Sequence, residues 1–555
     1  MSSNTPIEKV YDQRVDRMLQ RMAGVQDQEA IRKRALPSPS GAADSGETFS
    51  SQPPKPFKHV AVGTTLTADT PPTMSASAAV EVDIYDAPTP NESAQNRINR
   101  ISKHLIRENP RDLPVLTECD VCVVGGGPAG LAAAIGARRA GADVVLLERF
   151  GCFGGCITTV GMETLAWYRY EGTTDSEGLG VEMERLAAQM GGTIKWPYND
   201  SECLDADFFK LVADHLVQEA EVRPYLHIMC VDALIREGKI AGVVTESKSG
   251  RQAVLAKRVI DCTGDADIAN FAGAPYTMRP KDEALGVSTV FNAAGVDKET
   301  FIKYTEAQGT TYAAWSSGEW KQETTGKENH LRSPFLQTEF DEAQADGTIP
   351  KDAKGLGGSW SAVSDAGEAT NLNMVYMKGI DATKVEDLTH AEMEGRKQAM
   401  YALTALKSKV PGFEQAKLRN FGTTVGVRDT RKIVGRYNLT SEDVRNEARF
   451  DDSIGIFPEF IDGYNILILP TTGRYFHVPY GCLVPIGVDN LLVAGRCVAG
   501  DKVSHAAARN MMCCTVTGQG AGVAAAMSIK QGRSTGDVDI KGVQAELERQ
   551  GVRYL

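Results

Sequence analysis

No run of about 18 apolar residues occurs in the 555-residue chain, so the sequence offers no membrane-spanning helix. Basic residues are in deficit: 60 Lys and Arg against 72 Asp and Glu leave a formal net charge of −12. No dense Lys/Arg stripe interrupts that average. Such a surface repels phosphate backbones and argues against a nucleic-acid partner. The opening residues, MSSNTPIEKVYDQRVDR, lack an apolar signal core and carry several acids, which argues against a targeting leader and makes the cytoplasm the expected compartment. Among eleven cysteines, Cys119 and Cys122 form a C-x-x-C pair, but no second pair completes a four-ligand site, so no metal is expected. Histidine is scarce, with eight residues, which leaves few candidates for proton transfer near neutral pH.

What the chain does carry is Gly125, Gly127 and Gly130, spaced G-x-G-x-x-G directly behind the apolar run 121–124. The first glycine allows a tight turn, the second a close approach of backbone to pyrophosphate, and the third the packing of helix on strand. A small-residue helix over 131–140, a stop at Gly141 and a second strand over 144–147 complete a β-α-β unit that ends in Glu148. A carboxylate there accepts hydrogen bonds from ribose hydroxyls, while the helix start holds phosphate through its unpaired amides. The unit predicts a dinucleotide site.

Composition, with 42% hydrophobic and 24% charged residues, is that of a globular protein, and the length implies two or more domains. Residues 1–117 are rich in Pro, Ser and Thr and read as an N-terminal extension. Within it a charged helix is expected over 7–36 and a short strand over 80–85. The extension is either an arm that wraps the body or a neighbouring subunit, or a flexible tail. Beyond it we divide the chain into 118–280, 281–478 and 479–555. In the first part a helix over 205–219 precedes short strands over 226–235, 240–246, 252–255 and 258–261, a β-meander that runs into Thr263, Gly264 and Asp265. In the second, helices are expected over 297–306 and 391–409. The third holds a strand over 490–494, then Gly495 and Arg496, then a small-residue helix opening at Gly518.

Nicotinamide and flavin proteins share the opening fingerprint. The later segments and the runs ERFGCFGGCITT (148–159), RVIDCTGDADIA (258–269), VGVRDTRKIVG (425–435) and NLLVAGRCVAG (490–500) resemble the FAD-dependent oxidoreductase family. That family has the glutathione-reductase type of FAD fold and is related to fumarate-reductase flavoproteins and the heterodisulfide-reductase flavin subunit. The resemblance implies an α/β fold: a discontinuous Rossmann-like FAD-binding domain with a parallel sheet and a β-meander, plus a mixed α+β substrate or cap domain. It implies that Gly125, Gly127, Pro128, Ala129 and Gly130 hold the pyrophosphate of FAD, and that Glu148 and Arg149 hold the adenosine ribose. Gly154, Gly155, Cys156 and Thr158 then lie beneath the isoalloxazine, and Cys230 near adenine. Thr263, Gly264 and Asp265 close over the pyrophosphate, with helix capping an equal alternative for Asp265. Gly495 and Arg496 fall near the ribityl chain. Gln519 and Gly520 fall at the pyrimidine edge, where the amino end of a helix at Gly518 would favour the charge of a reduced ring.

Hydride transfer needs a substrate over the flavin and a group to handle the matching proton. The candidates for catalysis are His505, Arg509, Arg428, His477 and Tyr480. Imidazole titrates near neutrality, and guanidinium can clamp a carboxylate or stabilise an enolate. The expected function is dehydrogenation or reduction of a small organic substrate, with an unidentified electron donor or acceptor and a homo-oligomeric state. A flavin-dependent monooxygenase and an assembly protein with structural FAD are the alternatives. Cys152 and Cys156 lack the spacing of a disulfide-reductase pair. No second strand-linked glycine fingerprint exists, since Gly355 to Gly358 has no apolar strand before it.

Overall fold

The computed structural model describes residues 98–100, 106–108, 110–195, 200–308, 321–323, 336–470 and 473–555. It divides into two units, Met1–Asp112 and Leu113–Leu555. In the first, the described part is an antiparallel pair, Ile98–Arg100 with Ile106–Glu108. The helix expected over 7–36 and the strand over 80–85 lie outside the described residues.

The second unit is built on a seven-stranded sheet. Its centre is the strand Val115–Val124, flanked in parallel by Val144–Leu147 on one side and Gly250–Asp261 on the other. Arg223–Tyr225 continues the sheet beyond Val144–Leu147, and Leu491–Val493 pairs in parallel with residues 259–261. The Val/Leu runs at 121–124 and 144–147 are buried throughout, as expected of parallel strands covered by helices. Register sets Val124 beside Leu147 and Asp261, and Asp261 beside Val493. Four strands therefore end at one edge, where Gly125, Glu148, Cys262 and Ala494 continue the chain. Ligands of open α/β sheets bind at such carboxyl edges.

The meander is Met229–Arg236, Lys239–Ser247 and Gly250–Asp261, all antiparallel. Two strands expected over 252–255 and 258–261 are one. One flank pairs with Val115–Val124 from Ala253 to Asp261, with a register shift between Ala253 and Val254, while the other pairs with the meander over 250–255 and with Leu491–Val493 over 259–261. The change of neighbours midway makes one strand read as two.

The glycine-loop helix Pro128–Arg139 has proline at its first position, where no amide is needed, and is buried from Pro128 to Ala137. Against it packs Met511–Lys530, buried on almost every face. A Cβ on Gly518 would lie 2.1 Å from the Ala129 carbonyl oxygen, and one on Gly522 would lie 2.1 Å from that of Ala133. The two helices thus touch backbone to backbone. This helix starts at Met511, seven residues before the expected Gly518. The β-branched threonines ahead of Gly518 are accommodated by bonding back to the preceding turn: Thr515 Oγ1 donates to Met512 O at 2.7 Å and Thr517 Oγ1 to Cys514 O at 2.9 Å. By length and composition it is the one helix among the described residues that could cross a membrane, and it is spent on the core.

A five-stranded antiparallel sheet carries the cap: Leu356–Ser359, Glu368–Met377, Val287–Ala294 and Lys417–Phe421 in that order, with Ala362–Val363 on the second. The helix Val385–Lys409 packs on it through Ala399, Ala402 and Leu406, and Phe301 meets Trp360 and Phe413 at ring separations of 4.8 and 5.0 Å. This second core draws on residues 291–416, whereas Leu439, Ile454, Phe457, Phe460 and Phe476 pack into the first.

Candidate functional site

A cavity of about 1010 Å³ opens at the carboxyl edge of the parallel sheet and reaches the cap sheet. Its floor is the glycine loop. Gly125, at φ +101°, has no room for a side chain, because a Cβ would lie 2.4 Å from the Cys262 carbonyl oxygen. Gly130 packs against Gly125 O and does not line the cavity. Gly127 faces open space, with Gly155 Cα, at 3.7 Å, the nearest atom to a built Cβ. As the N-cap of its helix, Gly127 has no side chain to occupy the first-turn amides, which are left for a ligand beside Pro128 and Ala129.

Glu148 sits where the second strand ends. Its carboxylate accepts from Gly126 N at 2.7 Å and Phe150 N at 2.8 Å. Burial raises its pKa against these hydrogen bonds and the nearby Arg149 charge. Arg149 and Cys230 also line the cavity. Gly155 and Cys156 line it where the loop turns into the helical turn Cys156–Val160. Burial pushes the Cys156 thiol up, opposed by the charges of Arg428, Arg496 and Arg509. Gly154 and Thr158 do not reach the cavity. Thr158 turns inward and donates to Phe153 O at 2.7 Å, and a Cβ on Gly154 would strike it; Thr159 takes the lining position.

Thr263, Gly264, Asp265, Gly495 and Arg496 form one wall. Of the two roles open to Asp265, helix capping is not taken, since Ala266 is the N-cap of the helix Asp267–Phe271; Asp265 lines the cavity wall and accepts from Arg496 at 2.6 Å and from Thr430 Oγ1 at 2.7 Å. The turn is tied by Asp261, which sequence reading missed. This fully buried carboxylate accepts from Thr263 N, Thr263 Oγ1 and Ala269 N at 3.0, 2.6 and 2.9 Å. Its position at the end of an apolar strand, two residues before a threonine, was the available signal.

Gln519 and Gly520 are corrected. Both lie inside the C-terminal helix: Gln519 Oε1 accepts from Leu179 N at 2.9 Å, and Gly520 packs on Ile454. The amino end that reaches the cavity is Asn510 and Met511. Asn510 spends its side-chain amide on Ala506 O and Ala507 O and does not cap the helix.

Of the five residues proposed for catalysis, Arg428 and Arg509 line the cavity. The other three do not. His505 is buried with Nε2 donating to Arg428 O at 3.1 Å, and burial together with the Lys432 charge lowers its pKa well below the ordinary value. His477 accepts from Phe450 N through Nδ1 at 3.2 Å, and Tyr480 donates to Thr535 O at 2.7 Å. His477 and Tyr480 are bound up in the packing of the strand Tyr475–Pro479 and the turn Tyr480–Leu483, and His505 in that of the helix Lys502–Ala508. Sequence reading also missed the group behind Tyr464, a cavity residue that donates to Asp429. Asp429 in turn accepts from the buried Lys432, and His505 stands 3.7 Å away. Nothing in the local pattern sets these residues apart, because they come from three segments that meet only in the fold. Among the described residues no group of three or more His, Cys, Asp or Glu is arranged to hold a metal.

Residues 120–547 match the model of the FAD dependent oxidoreductase family. The chain belongs to that family. Its cofactor is FAD, and the residues present fit it: a glycine floor open at Gly127, free first-turn amides, a carboxylate at the second strand end and a second uncapped helix start. Digeranylgeranylglycerophospholipid reductase 2 of Methanopyrus kandleri is 32% identical over 190 residues, 33% of this chain and 46% of the reductase. The match thus spans about half that relative's length. Thiamine thiazole synthase of Methanococcus vannielii is 30% identical over 200 residues, 34% of this chain and 70% of the synthase. A geranylgeranyl bacteriochlorophyll reductase-like protein from Thermoplasma acidophilum aligns over 78% of this chain and 83% of its own, with 13% identity and a TM-score of 0.39.

Proposed function

We propose that this oxidoreductase dehydrogenates or reduces a small organic substrate bound between the parallel sheet and the cap. The observation that carries the reading is the continuity of one cavity from the glycine loop to Arg428 and Arg509. Gly127, Pro128, Ala129, Gly264 and Gly495 would hold the dinucleotide backbone, and Glu148 the ribose. Bound there, FAD supplies hydride transfer at its ring nitrogen N5. The chain's own part is placement and charge. Arg428, which touches Asn373 of the cap sheet, and Arg509, which pairs with Asp462, present guanidinium groups to the cavity, able to fix an anionic group or polarise a carbonyl oxygen. Tyr464 brings a hydroxyl into the cavity with Asp429 behind it, so a proton can be held at Tyr464 Oη next to substrate. Packing of the cap sheet over the opening limits water at the reacting atoms.

The test is anaerobic. Purified protein should carry FAD, show flavin absorption and lose it on addition of a reducing organic substrate or, in the other direction, be reoxidised by an unsaturated one. Bleaching that requires a nicotinamide nucleotide and is followed by incorporation of oxygen into substrate would replace this reading with a monooxygenase. Tight FAD that responds to dithionite but to no organic compound across a broad panel would leave a structural flavin.

A further inference from the structure

Resting on the reading of the cavity as an oxidoreductase site, we propose that its cap-facing end binds a small organic acid that carries a hydroxyl or amino group besides its carboxylate. Arg428 and Arg509 take the carboxylate, and Asn371 reads the second group. All three line the cavity.

The charge comes first. Arg428 has no carboxylate within ion-pair distance among the described residues; it donates to Gly286 O at 3.0 Å and Asn373 Oδ1 at 3.4 Å and lies 5.1 Å over the Tyr376 ring. Arg509 is matched by Asp462 at 3.0 Å, and its Nε is buried without a partner. The neighbouring pairs, Arg496 with Asp265 and Lys432 with Asp429, each cancel. Among the described residues Arg428 is therefore a half-buried cation of this wall without a counter-charge, and a charge withdrawn from bulk water is costly until one meets it. One carboxylate supplies that charge, and the planar guanidinium matches its two oxygens.

The unpaired neutral groups come second. Asn371 is 4% exposed, with its Nδ2 donating to Ser361 Oγ at 2.5 Å and its Oδ1 without a partner. Ser288 is 2% exposed, and its Oγ also has none. A buried acceptor without a donor is rare and destabilising. Asn371 also holds φ +49°, a left-handed conformation in mid-strand, which is strain of the kind found at ligand-reading positions. An acceptor amide oxygen calls for O–H or N–H on the ligand.

Strand pairing assembles the set. Ser288 and Gly426 exchange backbone bonds of 3.0 and 2.7 Å, and the same antiparallel alignment carries Arg428 to Gly286. Ser288 pairs with Tyr376 on the strand that also bears Asn371 and Asn373. Asn371 stands five residues along that strand from Tyr376, the partner of Ser288, about 16 Å, and two from Asn373, which Arg428 touches, so one small group reaches Asn371 at the cation's end but not Ser288 as well.

The experiment uses FAD-loaded protein with no turnover, reading flavin band shifts and calorimetric heats with four probes: lactate, propionate, lactamide and inorganic phosphate. Lactate should bind about tenfold or more tightly than lactamide, which lacks the charge, and several-fold more tightly than propionate, which lacks the hydroxyl. Arg428→Met should cost lactate and propionate about tenfold or more while leaving flavin per chain unchanged. Asn371→Gly, which suits the positive φ, should abolish the preference for lactate over propionate and leave propionate unchanged, while Ser288→Ala, farther along the sheet, should keep that preference. Equal binding of lactate and lactamide, or no binding of either acid, overturns the proposal. So does phosphate competing as well as lactate, which marks a general anion hole. Loss of flavin from Asn371→Gly also overturns it, because that atom then serves the ring. None of these readouts needs a turnover substrate, so the subsite can fail while flavin reduction by an organic substrate succeeds, or the reverse.

Discussion

Arg496 Nη2 lies 2.6 Å from Asp265 Oδ1, joining two turns 231 positions apart at the carboxyl edge of the sheet. Burial alone would raise the Asp265 carboxyl; the guanidinium and the Thr430 hydroxyl outweigh it and hold it below the ordinary value. A depressed carboxylate stabilises the folded state above its unfolded pKa, near 3.9, and that contribution is lost as pH falls through the lower folded value. Arg496→Met leaves a buried carboxylate without its counter-charge. We expect a loss of about 3 kcal/mol at pH 7 and acid unfolding that starts at higher pH than in the parent, measured by denaturant titration across the acid range.

The glycines of the two long core helices are unequal. A Cβ on Gly518 would lie 2.1 Å from Ala129 O, in the phosphate loop, and backbone on both sides prevents escape. Gly518→Ala should lower the thermal midpoint by several degrees and strip flavin from the protein. A Cβ on Gly136 meets Gln519 O at 3.2 Å, a contact that a shift of a few tenths of an ångström relieves. The helix propensity gained there, about 1 kcal/mol, offsets that shift, so Gly136→Ala should be near neutral in the same melt and retain flavin.

The glycine-loop unit was legible because its signal is local: strand, turn, helix and Glu148 follow one another, and each has a steric or electrostatic reason for its residue type. The start of the C-terminal helix was not. Gly518 looks like a turn residue until Ala129, almost 400 positions earlier, is seen to need its missing side chain. His505, His477 and Tyr480 failed for a related reason. A residue type suited to proton transfer is equally suited to satisfying a buried carbonyl or amide, and sequence gives no depth. Asn371, Ser288 and Tyr464 were invisible for the opposite reason, since a single polar residue among strand residues becomes notable only when its partner is missing or lies behind it.

His505 is held neutral by burial and by the Lys432 charge. Its folded pKa lies below the unfolded value of about 6.5, so folding favours the neutral ring, and that stability is present above pH 6.5 and lost as pH falls. His505→Asn should flatten the decline in stability between about pH 6.5 and 5, seen in parallel melts. The rate–pH profile with an organic substrate should keep its inflections, because the imidazole touches Arg428 O rather than the cavity. Loss of an inflection near neutrality in that variant would return His505 to the chemistry.

Asp429 is the residue on which most of the hidden polar group depends. Lys432, 2% exposed in its side chain, donates to it and to Thr430 O at 2.8 Å, and Tyr464 donates to it from the cavity. Burial works against both ions: it acts to raise the Asp429 carboxyl, which the Lys432 charge and the hydrogen bonds from Lys432 and Tyr464 nevertheless hold below its ordinary value, and it lowers the Lys432 ammonium in spite of Asp429. The pair is therefore one in which attraction and desolvation nearly cancel, and the cost appears when one partner is removed. Asp429→Asn should destabilise by about 3–5 kcal/mol, since it leaves a buried ammonium with only neutral acceptors. Asp429→Leu combined with Lys432→Met should recover most of that loss, because neither charge is then buried. Tyr464 separates structure from function. In the double variant its hydroxyl has lost its acceptor, so a fold restored in denaturant titration together with a slowed rate at unchanged substrate affinity would place the proton-handling role at Tyr464 and Asp429. A rate restored along with the fold would assign the pair to stability alone.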